Sequence, residues 1–439
     1  MTLKDLSFKN GTHPDGNKEL SKNSKIREMG GPKEVVIPLQ QHIGSVCEAT
    51  VKKGDHVKVG QVIGKPVNNM GVTVHSSVSG TVTKIEDIVK VSGHIIPSVF
   101  IENDGNDEMG FEVKKDVDIE NLTKDEILHN IREAGISGMG GAGFPTHVKL
   151  QVNDGEIDTI ILNGAECEPY LTCDDQVMQT YAKDIVEGLK LIMKVVKAQK
   201  GFIAIEDNKP EAIEAMEKAI DRDDIEVAVL KTKYPQGDEK RIIEAVTGRA
   251  VPDKGLPKDI GVIVNNVASS KAIYDAQFGI PVYKRVLTVT GKAVNEPSNL
   301  MVRIGTPLYE CIEECGGLKE APSKLVVGGP MMGYAQYTFD KPTEKGVSGI
   351  LCLTEDEVNL DEREACISCN KCVNVCPQYL LPLAMNEAIE AENFENAKAL
   401  NVQSCIACGA CSYICPSNIP LVENFNKAKR EIWRIENGN

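Results

Sequence analysis

Two cysteine runs with identical spacing occupy the last quarter of the chain. Cys366, Cys369, Cys372 and Cys376 precede Pro377, and Cys405, Cys408, Cys411 and Cys415 precede Pro416, so each run reads C-x2-C-x2-C-x3-C-P. Three thiolates at this spacing converge on one cubane cluster, while the chain turns away at the proline and gives its fourth cysteine to the neighbouring cluster. The ligand sets are therefore expected to cross. Cys366, Cys369, Cys372 and Cys415 should hold one 4Fe-4S cluster, and Cys405, Cys408, Cys411 and Cys376 the other. Structural zinc or disulfides are the competing explanation, but zinc favours two separated C-x2-C pairs without a trailing proline. The tail reads as an electron relay, and thiolates kept available for iron call for a reducing compartment.

Length and composition bound the rest. A chain of 439 residues suffices for about three domains, and 41% apolar with 26% charged residues is ordinary globular composition. A formal charge of -15 argues against nucleic acid as a partner, because phosphate binding wants a basic surface. Met1 to Leu20 is polar and charged throughout, without the apolar core of a secretory signal, and no stretch approaches the roughly 20 apolar residues of a membrane span. The expected location is the cytosol or the cytosolic side of another assembly.

Residues 1–25, rich in Asn, Lys, Ser and Gly and marked by His13-Pro14, read as an extended arm. All seven histidines lie before residue 150, scattered without metal-ligand spacing, and are assigned no ligand role. From Val35 to Ile101, short alternating strands are broken by Gly, Asn and Lys-Gly-Asp, the pattern of a small all-β sandwich. The run V-K-K-G-D-H-V-K-V-G-Q-V-I-G with Ser77 to Val82 resembles the barrel-sandwich hybrid of biotinyl and lipoyl carriers. The hairpin tip Val67-Asn68-Asn69-Met70-Gly71-Val72 lacks the lysine a carrier needs, so a docking or structural module is expected.

Thr123 as N-cap, Glu126 three residues on, apolar Ile127, Leu128 and Ile131, and Gly135 as a stop predict a helix. Directly after it, Gly138, Gly140, Gly141 and Gly143 let backbone N–H groups approach a phosphate or flavin closely. A helix rather than a strand precedes this G-x-G-G-x-G, so the ordinary dinucleotide fingerprint fails its context, and a plain tight turn stays open. A buried strand from Asp158 to Leu162 ends at Asn163-Gly164-Ala165-Glu166-Cys167-Glu168-Pro169, at a carboxyl end where open α/β sheets bind ligands. A long helix at about 175–197, a strand at 201–205, a helix at 210–220 and a strand at 225–230 continue a parallel α/β unit. The loop Tyr234 to Lys240 offers backbone donors, and Ile260 to Val264 ends in Asn265-Asn266.

Strands at 286–289 and 325–327 around a helix at 306–315 suggest a β-grasp, SLBB-like unit, with Cys311 and Cys315 as core thiols. Helix formers between the cysteine runs, as in 383–400, predict an all-helical two-cluster domain. Leu421, Phe425, Ala428 and Ile432 form a helical stripe that either packs on that domain or grips a partner or membrane. The expected fold is multidomain α/β in four parts: arm and sandwich at 1–115, Rossmann-like α/β domain at 116–284, β-grasp domain at 285–345 and cluster domain at 346–439.

G-x-G-G-A-G-F-P at Gly138 to Pro145 and N-x-x-E-x-E-P at Asn163 to Pro169 resemble the flavin- and NADH-binding subunit of respiratory complex I. A larger resemblance, covering nearly the whole chain, is to the C subunit of Rnf complexes, membrane-bound ferredoxin:NAD oxidoreductases. It adds the His13-Pro14 arm, the sandwich, Gly328-Gly329-Pro330-Met331-Met332-Gly333 and the doubled cysteine run. The resemblance implies FMN cradled by Gly138, Gly140, Gly141 and Gly143, with Lys149, Asn163, Glu166, Asn265 and Asn266 around it. It implies Phe144 stacked on the adenine of NAD(H) and Glu168 hydrogen-bonded to a ribose. Departures from the complex I pattern fall at Ala165, Cys167 and Val264. The implied activity is NADH oxidation or NAD reduction by a peripheral subunit at the cytosolic face of an ion-translocating complex. Its partners would be the other Rnf subunits and, through them, ferredoxin. A flavin and iron-sulfur cobalamin reductase, or a relay subunit without a working nucleotide site, are the alternatives.

Overall fold

The computed structural model describes residues 3–141 and 143–438, so Ala142 of the glycine turn lies outside the described residues. A five-stranded parallel sheet organises the centre, in the spatial order Leu3–Leu6, Ile225–Leu230, Lys200–Glu206, Thr159–Gly164 and Val262–Asn266. Alternation along Thr159–Gly164 sends Ile160 and Leu162 into one core and Ile161 into another, because successive strand side chains point to opposite faces. The first core packs against the helices Lys124–Glu133, Ala182–Val196 and Val267–Gln277, and the second against Glu239–Thr247. Both faces are covered, as a parallel sheet requires.

The capping box at Thr123 forms as expected, with the Thr123 hydroxyl accepting the Glu126 N–H and the Glu126 carboxylate accepting the Thr123 N–H at 2.8 Å. The single long helix expected at 175–197 is instead two, Cys173–Thr180 and Ala182–Val196, parted at Tyr181. Tyr181 leaves helical geometry at φ -120° and ψ 32°, and at the other end of the shorter helix the Asp174 N–H meets Glu166.

Residues 34–103 form two facing β layers around Val35, Ile37, Val57, Ile63, Val74, Val82, Val99 and Ile101. A third unit is a six-stranded mixed sheet. Its order is Tyr334–Gln336, Lys324–Val327, Gly349–Leu353, Lys284–Thr290, Ser298–Arg303 and Arg27–Glu28. Cys311 and Cys315 on its helix Leu308–Glu314 and C-cap are fully buried core thiols. The last unit is helical, with the 383–400 expectation realised as two helices, Pro382–Glu390 and Phe394–Ala399. Leu421, Phe425, Ala428 and Ile432 of the final helix, Leu421–Asn437, face inward onto this unit, so the stripe is core.

The arm is extended at Leu3–Leu6, which joins the edge of the central sheet, and Arg27–Glu28 just after it joins the edge of the mixed one, because a sheet edge offers N–H and C=O groups that an extended chain can satisfy. Among the described residues no helix is long and apolar enough to cross a membrane.

Candidate functional site

The glycine turn lies over the carboxyl end of the central sheet. Its Met139 N–H donates to Ser269 Oγ at 3.0 Å, which anchors it at the N-terminus of Val267–Gln277. A Cβ placed on Gly140 would come within 3.0 Å of Asn266 Nδ2, and Gly141 and Gly143 have φ of 82° and 65°, so the turn depends on the absence of side chains. Gly138 N–H closes it by donating to Phe144 O at 3.0 Å.

The remaining candidates complete a ring of contacts around this edge. Asn266 caps its helix through Oδ1, accepting from Ala268 and Ser269 N–H, while its Nδ2 donates to Asp174 Oδ2 at 2.7 Å. Asp174 begins the helix Cys173–Thr180, and its N–H donates to Glu166 Oε1 at 2.7 Å. Burial raises both the Glu166 and Asp174 carboxyls above the usual range. The ammonium groups of Lys18 and Lys209 oppose the rise at Glu166, and the Asn266 hydrogen bond opposes it at Asp174. On the opposite side Asn163 Nδ2 donates to Gly237 O at 2.8 Å, and the Gly237 N–H points at Cys167 Sγ at 3.2 Å. Lys149 closes the ring through an ion pair with Glu239 at 2.8 Å. Phe144 is half-buried at the turn's end.

Several buried polar atoms on this edge have no partner among the described residues: Ser137 Oγ, Asn265 Nδ2 and both amide atoms of Gln236. Ser137 and Gln236 are essentially inaccessible, at 1% and 0% exposure. Buried polar groups are rarely left unsatisfied, and a polar ligand at the glycine turn is one that would meet them. The unfilled polar atoms, together with a turn in which a Cβ on Gly140 would crowd Asn266, fit a flavin phosphate and ring.

Glu168 is engaged within the protein itself. Both its oxygens accept backbone N–H groups of the mixed-sheet loop, from Met331 at 3.0 Å and Met332 at 2.9 Å. A Cβ on Gly329 would lie 2.2 Å from Glu168 Oε2, so the loop's glycine permits this approach. Burial nevertheless outweighs the two hydrogen bonds and raises the carboxyl to about 7. Only the remaining lone pairs are left for a ribose.

The sandwich tip, where a carrier domain would display its lysine, is docked against the flanks of the glycine turn. His147 donates from Nε2 to Asn69 O at 3.0 Å, Asn69 Nδ2 donates to Gln151 at 3.0 Å, and Ile43 N–H donates to Gly143 O at 3.1 Å. The domain buttresses the turn, as a structural module should.

The eight cysteines divide between two bays in the crossed sets. One bay is lined by Cys366, Cys369, Cys372 and Cys415, the other by Cys376, Cys405, Cys408 and Cys411. Four thiols from both runs around each cavity are the donor set a cubane requires. The second bay is the inner one. Cys408 packs in a small apolar group with Tyr234, Cys167 and Met331, and the Tyr234 hydroxyl donates to Cys408 O at 2.6 Å. This places it directly behind the Asn163–Pro169 and Tyr234–Gly237 loops. Cys366 and Cys369 of the outer bay are exposed.

Sequence reasoning missed Lys18, Lys209 and Asp174, which hold the loop from below, and the side chain of Tyr234, whose loop was read for its backbone alone. No local spacing marks them: Lys18, Lys209 and Tyr234 act across long sequence separations, and Asp174 joins Glu166 nearby to Asn266 92 residues away.

Comparison with known proteins follows the same layout. Residues 6–106 match the RnfC barrel sandwich hybrid domain, 131–275 the Nuo51 FMN-binding domain, 286–335 the SLBB domain and 359–416 a 4Fe-4S dicluster domain. The chain is 46% identical over 435 residues to the C subunit of the Na(+)-translocating ferredoxin:NAD(+) oxidoreductase complex of Acetobacterium woodii, covering 98% of each. It is 45% identical over 394 residues to the C subunit of the proton-translocating complex of Clostridium ljungdahlii, covering 89% of this chain and 86% of that one. It is 40% identical over 437 residues to the C subunit of the ion-translocating oxidoreductase complex of Rhodobacter capsulatus, covering 98% and 84%. A crystal structure of NAD+-reducing [NiFe]-hydrogenase in the H2-reduced state shares the fold at 16% identity, with a TM-score of 0.50 over 73% of this chain and 68% of that one.

Proposed function

Because the chain belongs to the C-subunit family of ion-translocating ferredoxin:NAD(+) oxidoreductase complexes, we propose that it exchanges electrons between NAD(H) and the other subunits of such a complex. The observation that carries this reading is the adjacency of the glycine turn's sheet edge to the inner cysteine bay, joined through Tyr234 and Cys408. FMN supplies the conversion between a hydride pair and single electrons, and the two 4Fe-4S clusters supply one-electron carriage.

The chain's own residues would do the rest. Gly140, Gly141 and Gly143 would present backbone N–H groups to the flavin phosphate, and Gly138, whose N–H closes the turn on Phe144 O, would complete the cradle. Asn265 Nδ2 and Gln236 supply unspent hydrogen bonds at its edge, and Lys149, Asn163, Glu166 and Asn266 keep the ring of contacts closed around it. Phe144 offers an aromatic face to the adenine of NAD(H), and Glu168 its free lone pairs to a ribose. Cys376, Cys405, Cys408 and Cys411 hold the inner cluster, and Cys366, Cys369, Cys372 and Cys415 the outer. The exposed outer bay is the side from which electrons would pass to the partner subunits. This peripheral chain would then sit on the cytosolic face of the membrane, where NAD(H) is found.

Anaerobic purification followed by a cofactor inventory and an NADH titration tests the reading. About one flavin and about eight iron atoms per chain, with NADH bleaching the cluster absorbance, are the expected results. Iron without flavin, together with no response to NADH, would reduce the chain to a relay.

A further inference from the structure

The N-terminal arm touches both the Glu166–Leu171 loop and the inner bay, and at the loop it meets backbone in a disfavoured conformation. The loop from Glu166 to Leu171 contains two non-glycine residues in the left-handed region, Glu166 at φ 45° and Tyr170 at φ 68°. Side chains disfavour this conformation, so it persists only where the surroundings impose it. Both residues are held by the arm. Lys18 Nζ donates to Glu166 O at 2.9 Å, Glu168 O at 3.0 Å and Leu171 O at 2.5 Å, and the Tyr170 N–H donates to Gly16 O at 2.7 Å. Burial, and then the ammonium of Lys209, which itself donates to Ala165 O, hold the Lys18 ammonium below its usual range. Three carbonyls in return are the full donor capacity of an ammonium group.

A few residues earlier the arm grips the inner bay. Asn10 Nδ2 donates to the carbonyl of Cys376 at 3.1 Å, and Gly11 N–H to Val375 O at 3.0 Å. Thr12 and Tyr234 exchange backbone hydrogen bonds at 2.8 Å in both directions. This is the same Tyr234 that donates to Cys408 O. A Cβ on Gly11 would lie 2.7 Å from Tyr234 O, so the close pairing needs that glycine.

We infer that residues 10–18 act as a strap that fixes the Glu166–Leu171 loop and the inner cluster-binding segment in one frame, with Lys18 and Asn10 as positioning residues for electron exchange between them. The inference rests on the proposed flavin and cluster sites. It adds a requirement that neither the flavin-binding domain nor the cluster domain contains by itself: the arm must be seated for the two redox centres to keep their spacing and environment.

Two substitutions in the full-length, cofactor-loaded protein test it. Lys18→Met keeps the length of the side chain and removes the donors. The apparent Kd for FMN, measured by fluorescence during reconstitution of deflavinated protein, should rise about tenfold at unchanged iron content, and Lys18→Arg should stay within about threefold of the parent. Asn10→Ala removes the contact to Cys376 O, and because Asn10 lies at φ 65°, where alanine is disfavoured, Asn10→Gly removes the same contact without the backbone penalty and should behave alike. The midpoint potential of the inner cluster, followed by EPR, should move while that of the outer cluster stays, a tenfold change in the one-electron equilibrium corresponding to about 59 mV. Parent-like FMN binding in a folded Lys18→Met protein overturns the inference, and so does an Asn10→Ala protein in which both potentials move together or neither moves. Should Lys18→Met lose iron as well as flavin, the Asn10→Ala potentials decide the matter alone. A parent protein that itself lacks flavin or iron overturns the functional reading and the strap with it.

Discussion

The inner and outer cysteine bays share one sequence grammar and live in different surroundings. Carbonyls of two inner ligands are held by side chains from outside the cluster domain, Cys376 by Asn10 and Cys408 by Tyr234, while Lys429 of the final helix donates to Cys405 O. Gly409, next to Cys408, lies so close to Met331 O that a Cβ would stand 2.7 Å away. The outer bay is held within the cluster domain itself, as where Ser417 Oγ donates to Ala365 O at 2.9 Å beside Cys366, and Cys366, Cys369 and the flanking Ile367 are exposed. Cluster potentials follow hydrogen bonding and solvent exposure, so identical ligand sets should have different potentials here. The difference teaches that the repeat supplies ligands, while the domain packed against each bay supplies its function.

The largest expected effect comes from breaking the crossing of the ligands. Cys376→Ser should remove about half the iron and erase the EPR signal of the cluster held by Cys405, Cys408 and Cys411, although Cys376 belongs to the first run. Damage confined to the other cluster would mean that each run holds its own. Next in size, Gly141→Glu should abolish flavin retention with cluster absorbance intact. The position has φ of 82° and open space beside it, so a charged side chain would occupy the cradle rather than disturb the core. Simultaneous loss of iron and flavin would show that the turn does not serve the flavin alone.

Tyr234→Phe sharpens the comparison between bays. It leaves Cys408 O without its buried donor, a loss of about 1–3 kcal/mol that urea unfolding would register, and it should shift the inner potential with the outer one unmoved. Equal shifts in both clusters would argue against separate environments. The smallest effect concerns pH. Burial raises the Glu168 carboxyl to about 7, above its ordinary 4.5, so the folded state binds this proton more tightly than the unfolded chain. Stability from this group is fully present below pH 4.5, declines as pH rises between 4.5 and 7, and is gone above that. Melting temperatures of the parent should therefore fall more steeply across this window than those of Glu168→Gln, and parallel profiles would show that the carboxyl titrates normally.

Local regularity made much of the architecture legible. The capping box at Thr123, the strand at 225–230 and the grouping of the cysteines into two mixed sets all follow from spacing over fewer than about ten residues or from a repeated motif, and each has its counterpart in the fold. The break at Tyr181 was not visible, because helix propensity continues through it while the residue itself leaves helical geometry at φ -120° and ψ 32°. The resemblance implied a ribose contact for Glu168 but not that its carboxylate is clasped by a loop about 160 residues away.

What the sequence determined by itself is the inventory: two four-thiol sets, a glycine turn without side chains, a parallel α/β layer and a sandwich lacking its carrier lysine. These are fixed by residue type and short-range spacing, which physics reads locally. Only the tertiary structure decided which cluster bay meets the nucleotide edge, that Lys18 and Asn10 reach across to hold it, and that the other bay opens to solvent. Those outcomes depend on contacts between residues far apart in sequence, and a buried carbonyl finds whichever donor the fold brings near, with no local signature to announce it.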